Sequence, residues 1–137
     1  MKDRTSLLLA IMPSIDNIDK DLKSKEIELF QNKVLRPILK FQNDLLLHIF
    51  NDYINQFKGE FFKLSRKQRL SYIHDSLSKN QCLRSVILGA IIGLFAVEDY
   101  SFYRLNTSSL NKRIITMAIQ RIQSQSEIFS NTTLIFS

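Results

Sequence analysis

Phe30-Gln31-Asn32-Lys33-Val34-Leu35-Arg36-Pro37, followed by Phe41-Gln42-Asn43-Asp44-Leu45, is the text that decides the fold. It lies in a stretch, Ser24 to Phe57, that reads as one long amphipathic helix. The pair Gln-Asn occurs twice, eleven residues apart. At about 100° per residue, that spacing returns to within roughly 20° of the start, so both pairs are predicted to share one face. Leu35, Val34, Ile38, Leu45 and Ile49 form the apolar stripe of a core-facing helix, with Lys33, Lys40 and Asp44 opposite. Gln31 and Gln42 project into the stripe, and Asn32, Arg36 and Asn43 line one flank. A primary amide in a core needs a partner, or it costs roughly 1–3 kcal/mol. Two readings follow: a structural network that fixes helix register, or a polar pocket for a ligand. Pro37 removes a backbone donor and clashes one turn back, so a kink or helix restart is predicted near Val34–Pro37.

Composition points the same way. A chain of 137 residues corresponds to one domain that can bury a core without staples. Only three Gly and two Pro argue against a sandwich or barrel and for helices joined by short loops. The lone Cys82 excludes an internal disulfide framework and a multi-cysteine zinc site. It suits a reducing compartment. The run Leu7–Met12 is shorter than a signal-peptide core and has no small-residue cleavage site, so a cytoplasmic protein is expected.

The expected organisation is an arm over residues 1–23, a helical bundle over 24–129 and a tail over 130–137. The arm reads as extended, with Leu7–Ile11 and Ile15–Ile18 available to dock on the body. Gly59 suits a left-handed turn after the long helix. Ser65-Arg66-Lys67-Gln68 fits a capping box, opening a second helix that ends near Leu77 and turns Leu70, Ile73 and Leu77 inward. Val86 to Val97 are twelve uncharged residues in a row, too few to span a bilayer. A helix apolar all round reads as central and buried, with Gly89 and Gly93 at a close crossing. Glu98 and Asp99 suit the first turn of a short fourth helix. A fifth helix is predicted from Ser108 to Glu127, with Arg121 near its apolar stripe and Glu98 as a suitable partner. The fold class is therefore all-α: a single-domain bundle of about five helices, with a long Pro-kinked first helix and a buried Gly-xxx-Gly central helix.

The chemistry of the chain is mostly negative. His48 and His74 have no metal-ligand neighbour at helical spacing, and no glycine-rich phosphate loop occurs. Cys82 begins a helix but has no nearby histidine to activate it. No catalytic residue, metal or cofactor is expected, and no membrane partner. Formal net charge is +6. Residues 29–80 hold nine basic and four acidic groups, against five and six in residues 1–28. Lys63, Arg66, Lys67 and Arg69 crowd the start of the second helix, where the helix dipole disfavours cations. Free N–H groups beside such cations can hold a phosphate or nucleic-acid backbone; the alternative is a solvated basic patch.

QNKVLRPILKFQNDLL (residues 31–46), GAIIGLFAVEDY (89–100) and SSLNKRI (108–114) resemble a family of short helical bacterial proteins of undefined function, often named "glyoxalase". The resemblance spans roughly residues 28–129. It implies an all-helical fold. Glyoxalases hold a metal through histidine and glutamate on strands, or through a histidine-aspartate motif. This chain shows neither pattern, so no catalytic residue carries over and glyoxalase activity is not expected. The functional expectation is a non-catalytic interaction module whose partner is another protein or a second copy, a homodimer included. Nucleic-acid or phosphate binding through residues 63–69 is the alternative.

Overall fold

Pro37 sets the course of the first half of the molecule. In the computed structural model, which describes residues 15–57 and 59–129 and side chains from Lys20 onward, the chain is helical from Ile15. Helix α1 spans Ile15–Phe30 and runs into a π-helical turn, Gln31–Leu35. There the Arg36 N–H donates to the Gln31 carbonyl, five residues back. Pro37 then falls in the first turn of α2, Arg36–Phe41, a position that proline tolerates. Gln42, at φ −89° and ψ 8°, breaks the ladder again before α3, Asn43–Asn55.

The expected helix from Ser24 to Phe57 is thus three helices and a π turn, and residues 15–23 are helical rather than extended. The expected inward arc shifts as a result. Leu35 is fully buried, but Val34, Ile38 and Ile49 are half-buried and Leu45 is exposed. Leu39, Leu46, Leu47, Phe50 and Ile54 fill the core instead. A π turn and a break each change the angular phase of everything beyond them, which a constant 3.6-residue wheel cannot follow. The expected docking of residues 7–11 and 15–18, and the 130–137 tail, lie outside the described residues and side chains.

Gly59 follows α3 with φ 79°, the left-handed region that glycine tolerates. A single 3₁₀ turn, Phe61–Lys63, leads to α4, Arg66–Lys79. The capping box is formed: the Gln68 N–H donates to Ser65 Oγ at 3.3 Å, and the Ser65 N–H donates to Gln68 Oε1 at 3.0 Å. Ile73 and Leu77 are buried, and Leu70 is half-buried. Asn80 caps α5, Gln81–Ile92, by accepting the Leu83 N–H at 2.9 Å. Helix α6, Val97–Leu105, carries Glu98 and Asp99 in its first turn. Helix α7, Thr107–Ser124, is the central element. Leu110, Ile114, Ala118 and Ile122 are fully buried along it, and α7 packs on α3, α4, α5, α6 and the π turn.

The centre is therefore α7 and not the apolar helix α5. In α5 only Leu83, Ile87 and Ile91 are buried, at i, i+4, i+8. Gly89 and Gly93 are exposed, and a Cβ built on Gly89 would meet nothing within 4 Å. The predicted close crossing at these glycines is absent among the described residues. Composition alone suggested burial, but the bundle covers only one side of α5.

Two aromatic clusters close the core. Phe30 stacks on Phe102 at 4.9 Å and meets Phe95 edge-on at 5.7 Å, which roots the end of α1. Phe50, Phe61 and Phe129 meet at 5.2–5.9 Å around the other end. Among the described residues, no helix is long and apolar enough to cross a membrane.

Candidate functional site

Gln31 and Gln42 do not form one network. Gln31 is half-buried, and its Oε1 accepts from Arg113 of α7 at 2.6 Å. Gln42 is half-buried too, and its Nε2 donates to the Ala90 carbonyl at 2.9 Å. Ala90 lies in the last turn of α5, where helix carbonyls lack intrahelical donors, so Gln42 acts as a side-chain cap. Between the two glutamines the π turn has changed the phase, and each addresses a different helix.

The flanking amides diverge similarly. Asn32 is exposed and accepts the Arg36 Nε–H at 2.8 Å. Asn43 pairs reciprocally with Gln125: each Nδ2 or Nε2 donates to the other's oxygen, at 2.9 and 2.7 Å. Arg121 donates to Asn43 Oδ1 at 3.4 Å. The expected partner Glu98 is exposed and makes no ion pair with a described residue. The half-buried guanidinium is satisfied by a neutral amide, which avoids the cost of desolvating a carboxylate beside it.

The basic start of α4 is also less uniform than its sequence. Lys63, Arg66 and Lys67 are exposed. Arg69 is withdrawn: its guanidinium donates to the Phe62 carbonyl at 3.1 Å and lies 5.1 Å from the centre of the Phe61 ring. It braces the 3₁₀ turn against α4. His74 sits beside Asp75 at 3.4 Å on the surface, and Cys82 is exposed. No group of three or more His, Cys, Asp or Glu residues suited to a metal occurs among the described residues.

Two surface features were not legible in the sequence. The first is apolar. Leu45 and Ile49 share one face of α3, with Gln42 in the break just before it, and Val86 and Ala90 share one face of α5, with Leu94 in the turn just beyond it. The Gln42–Ala90 bond holds these faces side by side, and Ile49 and Val86 line one cavity of about 490 Å³ further along. Leu45, Val86 and Leu94 are 45%, 52% and 44% exposed. Tyr53, Phe57 and Cys82 also line the cavity. The second feature is basic. Arg36, Lys112 and Arg113 line a cavity of about 480 Å³ with Gln31. Arg113 and Gln31 are 82 residues apart, and nothing local in either text announces the pairing. Comparison of the chain with family models, curated proteins and solved structures finds no match.

Proposed function

We propose that the protein is a non-catalytic helical interaction module, and that the α3–α5 face receives a protein partner or a second copy. The supporting observation is the exposed apolar side chains Leu45 and Val86 on facing sides of α3 and α5, which the Gln42–Ala90 bond links, with Val86 lining the 490 Å³ cavity together with Ile49 and Leu83. Scattered surface leucines are ordinary, but exposed apolar side chains next to an apolar-lined concavity suit an association surface. The exposed glycines fit this reading. A helical glycine lowers stability, yet Gly89 meets no neighbour among the described residues that needs the space. A docked helix could approach closely there.

Cys82 lies in the same cavity and offers a reporter. A thiol-specific fluorophore on Cys82 should block association, and association should slow the labelling. Val86→Glu with Leu45→Glu should abolish association while leaving the helical circular dichroism intact, since both side chains are exposed. Light scattering over a concentration series reads self-association, and retention of a partner from native lysate reads the heterologous case. Equal retention by the double variant would defeat the proposal.

A further inference from the structure

Helix α7 carries cations on its outer side that no part of the proposed docking face uses. Lys112, Arg113 and Arg36 line the 480 Å³ cavity. A second cavity, of about 370 Å³, is lined by Lys112 together with Arg84 and His74. Lys112 and Thr116 belong to both, so the two concavities adjoin across a ridge on α7. No carboxylate among the described residues lines either one. None of Arg36, Arg84, Lys112 and Arg113 makes an ion pair with a described residue. Like charges gathered in a concavity without counter-charges repel one another, and a bound anion relieves that repulsion.

Two of the guanidinium groups are already oriented. Gln31 Oε1 holds Arg113 at 2.6 Å, and Asn32 Oδ1 holds Arg36 at 2.8 Å. Each bond engages one nitrogen of a planar, five-donor group, which leaves others free for phosphate oxygens. Neutral donors and acceptors stand between the cations, namely Gln120, Thr116, Ser78 and Ser108. The apolar lining is Met117, Ile115 and Ile119, all buried. An acidic peptide would find no hydrophobic anchor there. Neither cavity has a phenylalanine or tyrosine on which a base could stack.

We propose that this basic track along α7 binds the phosphodiester backbone of nucleic acid. It makes backbone contacts only, so binding tolerates any sequence and accepts RNA and DNA alike. The site is distinct from the start of α4, and the inference does not depend on the docking face of α3 and α5.

Fluorescence anisotropy with labelled oligothymidylate and oligouridylate tests it on the full chain. With about four phosphates neutralised, log K should fall by about 2.8 per tenfold rise in salt. Arg36→Glu with Lys112→Glu should weaken binding by on the order of tenfold or more at low salt and flatten the salt slope. Both residues are exposed, so the fold should survive; Lys112→Glu alone provides a milder second variant. Lys20→Glu with Lys23→Glu makes the same net charge change on exposed positions of α1 and should leave binding within about twofold. The proposal is overturned by absence of binding at low salt, by equal loss in the α1 variant, or by displacement of the oligonucleotide by polyglutamate at matched charge.

Discussion

Replacing Gly89 with alanine should stabilise the protein. Gly89 lies inside α5, and a Cβ added there meets no atom within 4 Å. The substitution therefore has no steric cost in the folded chain. It removes backbone freedom from the unfolded chain and improves helix propensity, together about 0.8–1 kcal/mol. Unfolding entropy near 2.1 cal/mol/K per residue gives about 0.29 kcal/mol/K for 137 residues, so the midpoint should rise by about 3 °C. Gly93→Ala is the internal comparison. Its Cβ would sit 3.0 Å from the Gly89 carbonyl oxygen, so the gain there should be smaller or vanish. Thermal melts followed by circular dichroism, with urea titrations to check that m is unchanged, measure both. If Gly89→Ala melts at or below the parent temperature, the outer face of α5 is not open. The same openness gives a second readout. Gly89→Leu should fold at near-parental stability but lose association, because a bulky side chain would hold a partner away.

Three further outcomes follow from particular contacts. Gln42→Ala removes the donor to the Ala90 carbonyl and should cost about 1 kcal/mol in a urea titration; Gln42→Glu should cost more, because it sets a carboxylate against the negative end of α5. Arg69→Met keeps the stem over Phe61 but loses the charge and the bond to Phe62, so it should cost about 1–2 kcal/mol, whereas Arg66→Met, fully on the surface, should stay within about 0.5 kcal/mol. Burial raises the Tyr72 and Tyr103 phenols above 10.0, so the folded chain holds those protons more tightly than the unfolded chain. That contribution is present below about pH 10 and is lost as pH rises through the folded values, so urea midpoints should fall toward about pH 11, and less so in Tyr103→Phe.

Helix class and local punctuation were legible because they depend on near neighbours. Ser65 and Gln68 announce their reciprocal cap within four residues, Gly59 announces its positive φ, and Glu98-Asp99 announce the start of α6. The phase of the first half was not legible. A missing donor at Pro37 foretells a disturbance, but whether the ladder answers with a kink or with a π turn depends on which side chains the rest of the bundle can bury. Once Leu35, Leu39 and Phe50 are taken into the core, Leu45 is left outside. The α5 segment failed for a related reason. Hydrophobicity reports that a helix could be buried; only the number of neighbours decides whether it is. Arg113, Gln125 and Lys112 escaped notice because their roles come from pairings and cavities that join distant parts of the chain.

The rooting of α1 has a kinetic consequence. The helix has 16 residues, about 24 Å at 1.5 Å each, yet residues 20–26 are exposed throughout, and among the described side chains Ile27 is the first that is buried. An isolated helix of this length is marginal in water, so its hydrogen bonds persist chiefly because the Phe30 stack supplies a ready nucleus at one end. Amide protons should therefore exchange along a gradient, fastest toward Lys20 and slowest near Phe30, with free energies well below that of global unfolding. The outer turns can melt and re-form by zipping from the root on the microsecond scale or faster, while the bundle stays closed. Leu22, exposed on the outer turns, is thus presented on a segment that samples helix and coil without disturbing the core behind it.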